Sequence, residues 1–144
     1  MKIYNALDVA NFIIDRFTKK KDPVSNLRLQ KLLYFVWVEF YRETKRSLFV
    51  DSMYAWPFGP VVPDVYYEYC SYGGRPINLL CDNEITPEDA QIIEEILQEY
   101  QTIPVNKLVE KTHRPGTPWY EIFDNGKGDK NVIPFNLIKN DIGE

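Results

Sequence analysis

The sequence predicts a mainly α-helical (α+β) protein, a compact bundle of about six helices around a buried central helix, with a small two- or three-stranded sheet. Residues 27–41 read LRLQKLLYFVWVEFY with only four polar positions, and a helix that is apolar nearly all round is buried on several sides. Residues 48–56 instead alternate loosely among aromatic and β-branched residues, which indicates a strand. At 144 residues, the chain fits one domain spanning 1–144.

The central helix has three predicted sides. Its inward positions are Leu29, Leu32, Leu33, Val36 and Phe40. A narrow polar strip facing water is predicted for Arg28, Lys31, Glu39, Arg42 and Arg46. The third side is amphipathic and carries Gln30, Tyr34, Trp37 and Tyr41, whose polar tips need partners when they are buried. The helix is shorter than the roughly 20 apolar residues that a membrane span requires.

Capping signals place the other helices. Asn5 caps a first helix that ends at the lysines of residues 19–21, and Ser25 or Asn26 caps the central helix. Thr86 followed by Pro87 and two acids is a strong start signal for a helix reaching Tyr100. Shorter helices are predicted to open near Pro104, Pro118 and Pro134.

Proline and glycine set the connections between these elements. Residues 57–60 read PFGP and predict a turn after the strand, because proline fixes φ and glycine permits positive φ. A short helix over residues 61–72 follows and ends at Gly73 and Gly74. Residues 77–81 form a short apolar run that suggests an edge strand pairing near Tyr54. Residues 124–131 are predicted to be a flexible loop.

The net charge and the cysteines indicate which partners and which compartment to expect. The net charge is −4, which disfavours nucleic-acid binding, since such proteins usually carry a basic face. Cys70 and Cys81 are interpreted as reduced thiols of a cytoplasmic protein, because no secretory segment is evident, and a disulfide between them stays as the alternative. No membrane association is expected.

Few residues suggest catalysis or metal binding. His113 is the single histidine, so zinc sites built from several histidines are excluded, and its spacing from the two cysteines matches no zinc finger. No glycine-rich phosphate loop or nucleophile elbow is present. We therefore expect no cofactor, no metal and no enzymatic activity. A small hydrolase using His113, oriented by an Asp or Glu, stays open beside a histidine bonded to the backbone at a helix end.

Three ordered motifs resemble the Panacea antitoxin domain family. They are LQKLLY at residues 29–34, AW and GPVVP at residues 55–63 followed by Tyr66 or Tyr67, and TH at 112–113 with PW at 118–119. The resemblance covers nearly the whole chain. Its members include SocA-like proteolytic adaptors and proteins of phages and mobile elements.

The resemblance implies a protein that neutralises a toxin encoded nearby, by direct binding or as an adaptor that presents the toxin to a cellular protease. Aromatic residues beyond those that a core needs support this hypothesis. The predicted partner-binding residues are Trp56, Phe58, Gly59, Pro60, Tyr66, Tyr67, His113 and Trp119. A regulator that binds nucleic acid is a further alternative, and it requires a continuous basic surface.

Overall fold

The central helix is the scaffold of the whole fold. The computed structural model describes residues 3–142, in which α2 (Asn26–Thr44) packs against α1 (Ala6–Lys19), α4 (Pro87–Tyr100), α5 (Val105–Thr112) and α7 (Phe135–Ile142). Two short helices, α3 (Pro63–Glu68) and α6 (Pro118–Phe123), complete the bundle. The five predicted inward residues are fully buried, namely Leu29, Leu32, Leu33, Val36 and Phe40. The mainly helical fold class is confirmed.

Side-chain caps start the helices where the sequence predicts them. The Asn5 side chain accepts a hydrogen bond from the Asp8 N–H at 2.8 Å, and Ser25 accepts one from Arg28 at 3.2 Å. Thr86 caps α4 by accepting from Asp89 at 3.4 Å. These side-chain oxygens accept hydrogen bonds from backbone N–H groups that have no partner inside the first helical turn.

A three-stranded antiparallel sheet lies beside the bundle. β1 (Met53–Trp56) pairs with β2 (Gly59–Val61) and with β3 (Val132–Ile133), in the order β2-β1-β3. The turn of residues 57–60 thus closes a hairpin. The predicted strand of residues 48–56 is shortened to its last four residues, and the predicted helix of residues 61–72 is α3 followed by a 3-10 turn, Cys70–Tyr72.

The third strand comes from a different segment than the sequence suggests. Residues 77–81 do not pair with β1; they cross α1 as an irregular strap. Their backbone N–H groups donate to the Val24 carbonyl at 2.7 Å from residue 77, to Thr18 at 3.2 Å from residue 79, and to Asp15 at 2.9 Å from residue 81. These acceptors replace a neighbouring strand, so an apolar run alone was a misleading signal.

The predicted polar strip of α2 is wrong at one position. Arg28, Glu39, Arg42 and Arg46 bond to polar partners at least partly in contact with water, whereas Lys31 is 0% exposed. The amphipathic side is also largely closed, because Trp37 is buried and donates its indole N–H to the Phe49 carbonyl at 2.9 Å. Lys31 therefore belongs to the interior.

Cys70 and Cys81 are both free thiols, as the sequence interpretation expected. Within residues 3–142, no helix is long and apolar enough to cross a membrane.

Candidate partner-binding site

The hairpin turn, defined here as residues 56–62, is held by side chains that bond to its backbone. From α6, the Trp119 indole N–H donates to the Trp56 carbonyl at 2.7 Å. At the end of α5, Nε2 of His113 lies 3.0 Å from the Pro57 carbonyl oxygen. The two rings contact each other with centroids 3.8 Å apart. One end of the turn is thereby fixed to α5 and α6.

Two consecutive residues of α2 hold the other end of the turn. The buried Lys31 ammonium nitrogen donates to the Pro60 carbonyl at 2.5 Å. The Gln30 side-chain oxygen accepts the Val62 backbone N–H at 2.9 Å, and its amide donates to Asn26 at 3.2 Å. Because each bond is buried, losing one partner would leave a desolvated polar group. The four clamp residues are Gln30, Lys31, His113 and Trp119.

Gly59 lets β2 approach the Lys31 side chain closely. Its φ is +118°, which residues with a Cβ rarely adopt, and a Cβ placed there would lie 2.8 Å from Lys31 Nζ and 2.8 Å from Thr112 Oγ1. Glycine is required both for the backbone conformation and for this contact. Gly59 therefore determines how closely β2 packs against Lys31 and Thr112.

Burial changes the protonation of the clamp lysine. The loss of hydration lowers the pKa of Lys31 from 10.5 to about 7, because removing an ammonium from water penalises its charged form. No carboxylate of residues 3–142 forms an ion pair with it. The Pro60 carbonyl can accept a hydrogen bond from either form of the amine, so this contact survives deprotonation.

The outer face of the hairpin is aromatic. The rings of Trp56 and Tyr66 meet edge to face with centroids 5.0 Å apart, and the Tyr67 ring lies 6.2 Å from that of Trp56. Phe58 is 66% exposed and Tyr67 is 62% exposed. Large aromatic side chains on a fixed backbone lose little entropy when a partner covers them.

All eight residues predicted for partner binding meet at this hairpin, but in two roles. Trp56, Phe58, Tyr66 and Tyr67 contribute to the surface. Gly59, Pro60, His113 and Trp119 form or hold the backbone beneath it. Sequence reasoning placed Lys31 in water and missed its part in the clamp. The available signal was a single lysine within the apolar run LQKLLYFVW.

His113 lies at the end of α5 with both ring nitrogens close to backbone carbonyl oxygens, as expected for a histidine with a structural role. Its Nδ1 lies 2.7 Å from the Val109 carbonyl oxygen and 3.2 Å from Thr112 Oγ1. The Thr112 hydroxyl donates to that same carbonyl at 2.7 Å, and the residue is only 2% exposed. A buried hydroxyl of this kind is out of reach of a substrate.

The basic residues of positions 19–46 do not form the continuous free surface that nucleic-acid binding requires. Lys31 is buried, Lys19 pairs with Asp15 at 2.8 Å, and Arg46 pairs with Asp89 at 2.6 Å. Arg42 pairs with Glu39, and Arg28 with Asp22 at 3.3 Å. Carboxylates thus pair with Lys19, Arg28, Arg42 and Arg46.

Fold and site together define a mainly helical α+β domain with a clamped aromatic hairpin beside one buried helix. The family model described as Antitoxin SocA-like, Panacea domain, matches residues 29–120, a range that contains all four clamp residues. The chain belongs to this family. It is 34% identical to Antitoxin SocA of Caulobacter vibrioides (strain NA1000 / CB15N), over 86% of this chain and 72% of that relative. No solved structure gives a significant match. Family membership supports an antitoxin role, and with it a toxin as partner in general.

Proposed function

We propose that this protein is an antitoxin that binds a protein toxin encoded beside it, using the aromatic face of the hairpin turn, with residues 1–144 acting as one Panacea-like domain. Exposed Phe58 and Tyr67 on a backbone fixed by buried hydrogen bonds carry the proposal. A prepared surface of this kind avoids much of the ordering cost of association. Binding occludes the toxin, and the protein performs no catalytic step of its own.

The setting of this activity follows from the same proposal. The protein acts in the cytoplasm, where its two free thiols stay reduced. Its gene belongs to a phage or another mobile element. Sequencing the flanking DNA checks both statements, because a toxin gene should lie beside this gene and the genes of the mobile element should surround the pair.

Alanine substitutions of the exposed aromatic residues are expected to abolish neutralisation without unfolding the protein. Phe58→Ala and Tyr67→Ala each remove a largely exposed ring, so the free energy of unfolding should change by about 0.5 kcal/mol or less. Toxin affinity should fall by about 30-fold or more if these rings are central anchors. Growth of cells co-expressing the toxin, together with titration of the purified proteins, measures both effects.

The control for these variants is Leu80→Ala, which removes another strongly exposed apolar side chain, outside the hairpin. It should restore growth as the wild type does. Full rescue by both aromatic variants would contradict the proposed face. If even the wild-type protein failed to restore growth, the antitoxin role towards the product of that neighbouring gene would be contradicted.

Proteolytic presentation is the second candidate mechanism, since the family resemblance includes adaptors. The two mechanisms differ in what happens to the toxin. Occlusion leaves the amount of toxin unchanged, whereas an adaptor shortens the toxin's half-life only in cells that contain the protease. Following toxin levels after protein synthesis is stopped, with and without the antitoxin, separates them.

A further inference from the structure

A groove of about 350 Å³ lies between the hairpin turn and the first turn of α2. This volume is near the lower end of the roughly 300–1,000 Å³ found for ligand pockets, so it suits one or two side chains. Leu27 and Phe58 stand in its wall and are both partly exposed to water. Gly73 and Gly74 form part of the lining, and nothing lies within 4 Å of a Cβ built on either. The groove is open on the glycine side.

The two amide side chains of the groove, Asn26 and Gln30, are already engaged in hydrogen bonds. Asn26 donates to the Tyr66 carbonyl at 3.0 Å and accepts from Gln30 at 3.2 Å, while Gln30 accepts from Val62 at 2.9 Å. A polar ligand would have to compete with these bonds or lose its own hydration. An apolar side chain meets neither cost. The lining contains no charged residue.

Two basic residues lie beside residues of the groove lining. The Lys130 ammonium lies 5.9 Å from the centroid of the Trp56 ring, and Arg75 directly follows the groove residue Gly74. The Arg75 guanidinium donates to the Tyr72 carbonyl at 3.2 Å and to the Ser71 carbonyl at 3.3 Å. Neither residue forms an ion pair with a carboxylate in residues 3–142, so both charges are open to a partner. The acids of α3, Asp64 and Glu68, are each two residues from Tyr66, which places them about 200° away around the helix.

We propose that this groove binds a short acidic segment of the toxin, which inserts one large apolar side chain beside Leu27 and Phe58. The inference rests on the proposed antitoxin function and names the part of the partner that is recognised. Burial of the apolar side chain supplies affinity. The acidic neighbours of that side chain lie near Arg75 and Lys130, which orients the segment and speeds association in a protein that is otherwise negatively charged.

Filling the groove tests the site. Gly74→Trp places a large side chain in open space without backbone strain, because no positive φ is required there. Val50→Trp is the matched control, since Val50 is 62% exposed and is not part of the groove lining. In titrations with the purified toxin, Gly74→Trp should weaken binding by about 30-fold or more, the loss typical of a blocked anchor site. Equal affinity of the two variants would overturn the groove as the binding site.

Reversing the edge charges tests the chemistry of the partner. The double variant Arg75→Glu, Lys130→Glu should bind the toxin about tenfold more weakly than wild type and lose its salt sensitivity. Lys20→Glu with Lys127→Glu makes the same change of net charge on exposed residues outside the groove, and it should have a smaller effect. Tighter binding by the first double variant, or equal loss in both, would overturn the acidic partner.

The bound segment is identified directly by placing a photo-crosslinking phenylalanine analogue at residue 58. Peptides crosslinked to it should contain acidic residues around one large apolar residue, whereas a basic or wholly polar segment would refute the inference. If only the groove inference is wrong, the wild-type protein still binds the toxin and restores growth. If the wild type neither binds nor rescues, the proposed function fails and the inference fails with it.

Discussion

Raising the pH from about 6 to about 9 is expected to stabilise the folded protein, and Lys31→Met is expected to remove most of that gain. Burial lowers the pKa of Lys31 from 10.5 to about 7. Between these two values the unfolded chain holds a proton that the folded chain has released. The unfolded state therefore binds more protons, and stability rises with pH through this window.

The size of the effect follows from the same pKa change. The slope reaches about 1.4 kcal/mol per pH unit, and the whole window corresponds to about 5 kcal/mol. Below a pH of about 7 the amine is protonated in both states, so the full penalty for burying the charge is present. Measurements should stop near pH 9. Burial raises the pKa of Tyr34 in the folded protein, whereas in the unfolded chain this tyrosine ionises near pH 10, which would favour unfolding at higher pH.

Urea unfolding at a series of pH values measures this dependence. Lys31→Met keeps an unbranched side chain but leaves the Pro60 carbonyl without its donor, at a cost of about 1–3 kcal/mol that does not vary with pH. Lys20→Met, at an exposed lysine, is the control and should follow the wild-type curve. Parallel curves for the wild type and Lys31→Met would mean that Lys31 does not set the pH dependence.

Gly59→Ala is expected to damage both folding and partner binding. A residue with a Cβ at φ +118° is strained, at about 1–3 kcal/mol. The new methyl group would also lie 2.8 Å from Lys31 Nζ and 2.8 Å from Thr112 Oγ1, so the lysine must move away from Pro60 or β2 must shift. We expect a total loss of about 2–5 kcal/mol in the free energy of unfolding.

The matched control for stability alone is Gly74→Ala, where nothing lies within 4 Å of the added methyl group; for toxin binding, the wild type is the reference. Denaturant midpoints of the two variants measure the difference in stability, and toxin titration measures the change in the surface. A Gly59→Ala midpoint equal to that of Gly74→Ala would contradict the close packing at β2. Combining Gly59→Ala with Lys31→Ala should cost less than the sum of the two, because the shorter side chain leaves room.

The sequence predicted the helices well because their signals are local. Threonine at position 86 and serine at position 25 cap helices whose apolar faces repeat at helical spacing. The third strand was missed for the opposite reason. β3 has only two residues, and its pairing with Met53 and Tyr54 depends on a contact made about 80 positions further along the chain.

The eight residues predicted for partner binding lie around one hairpin, and their role in binding stays a prediction, whereas the clamp beneath them was not predicted. Aromatic content and proline spacing pointed to the exposed surface around Phe58. The clamp depends on distances between α2, α5 and β2, which no local pattern encodes. Lys31 was misplaced because helical periodicity aligned it with charged neighbours, whereas tertiary packing against Gly59 encloses it.

The clamp also joins distant parts of the chain in one structure. Its bonds join positions 30 and 62, 31 and 60, 113 and 57, and 119 and 56. Each such bond closes a long loop of the chain, which costs conformational entropy. Without α6, the Trp56 carbonyl would lose its indole donor, Trp119. The conformation of the exposed surface therefore depends on residues spread from α2 to α6, nearly 90 positions apart in the chain.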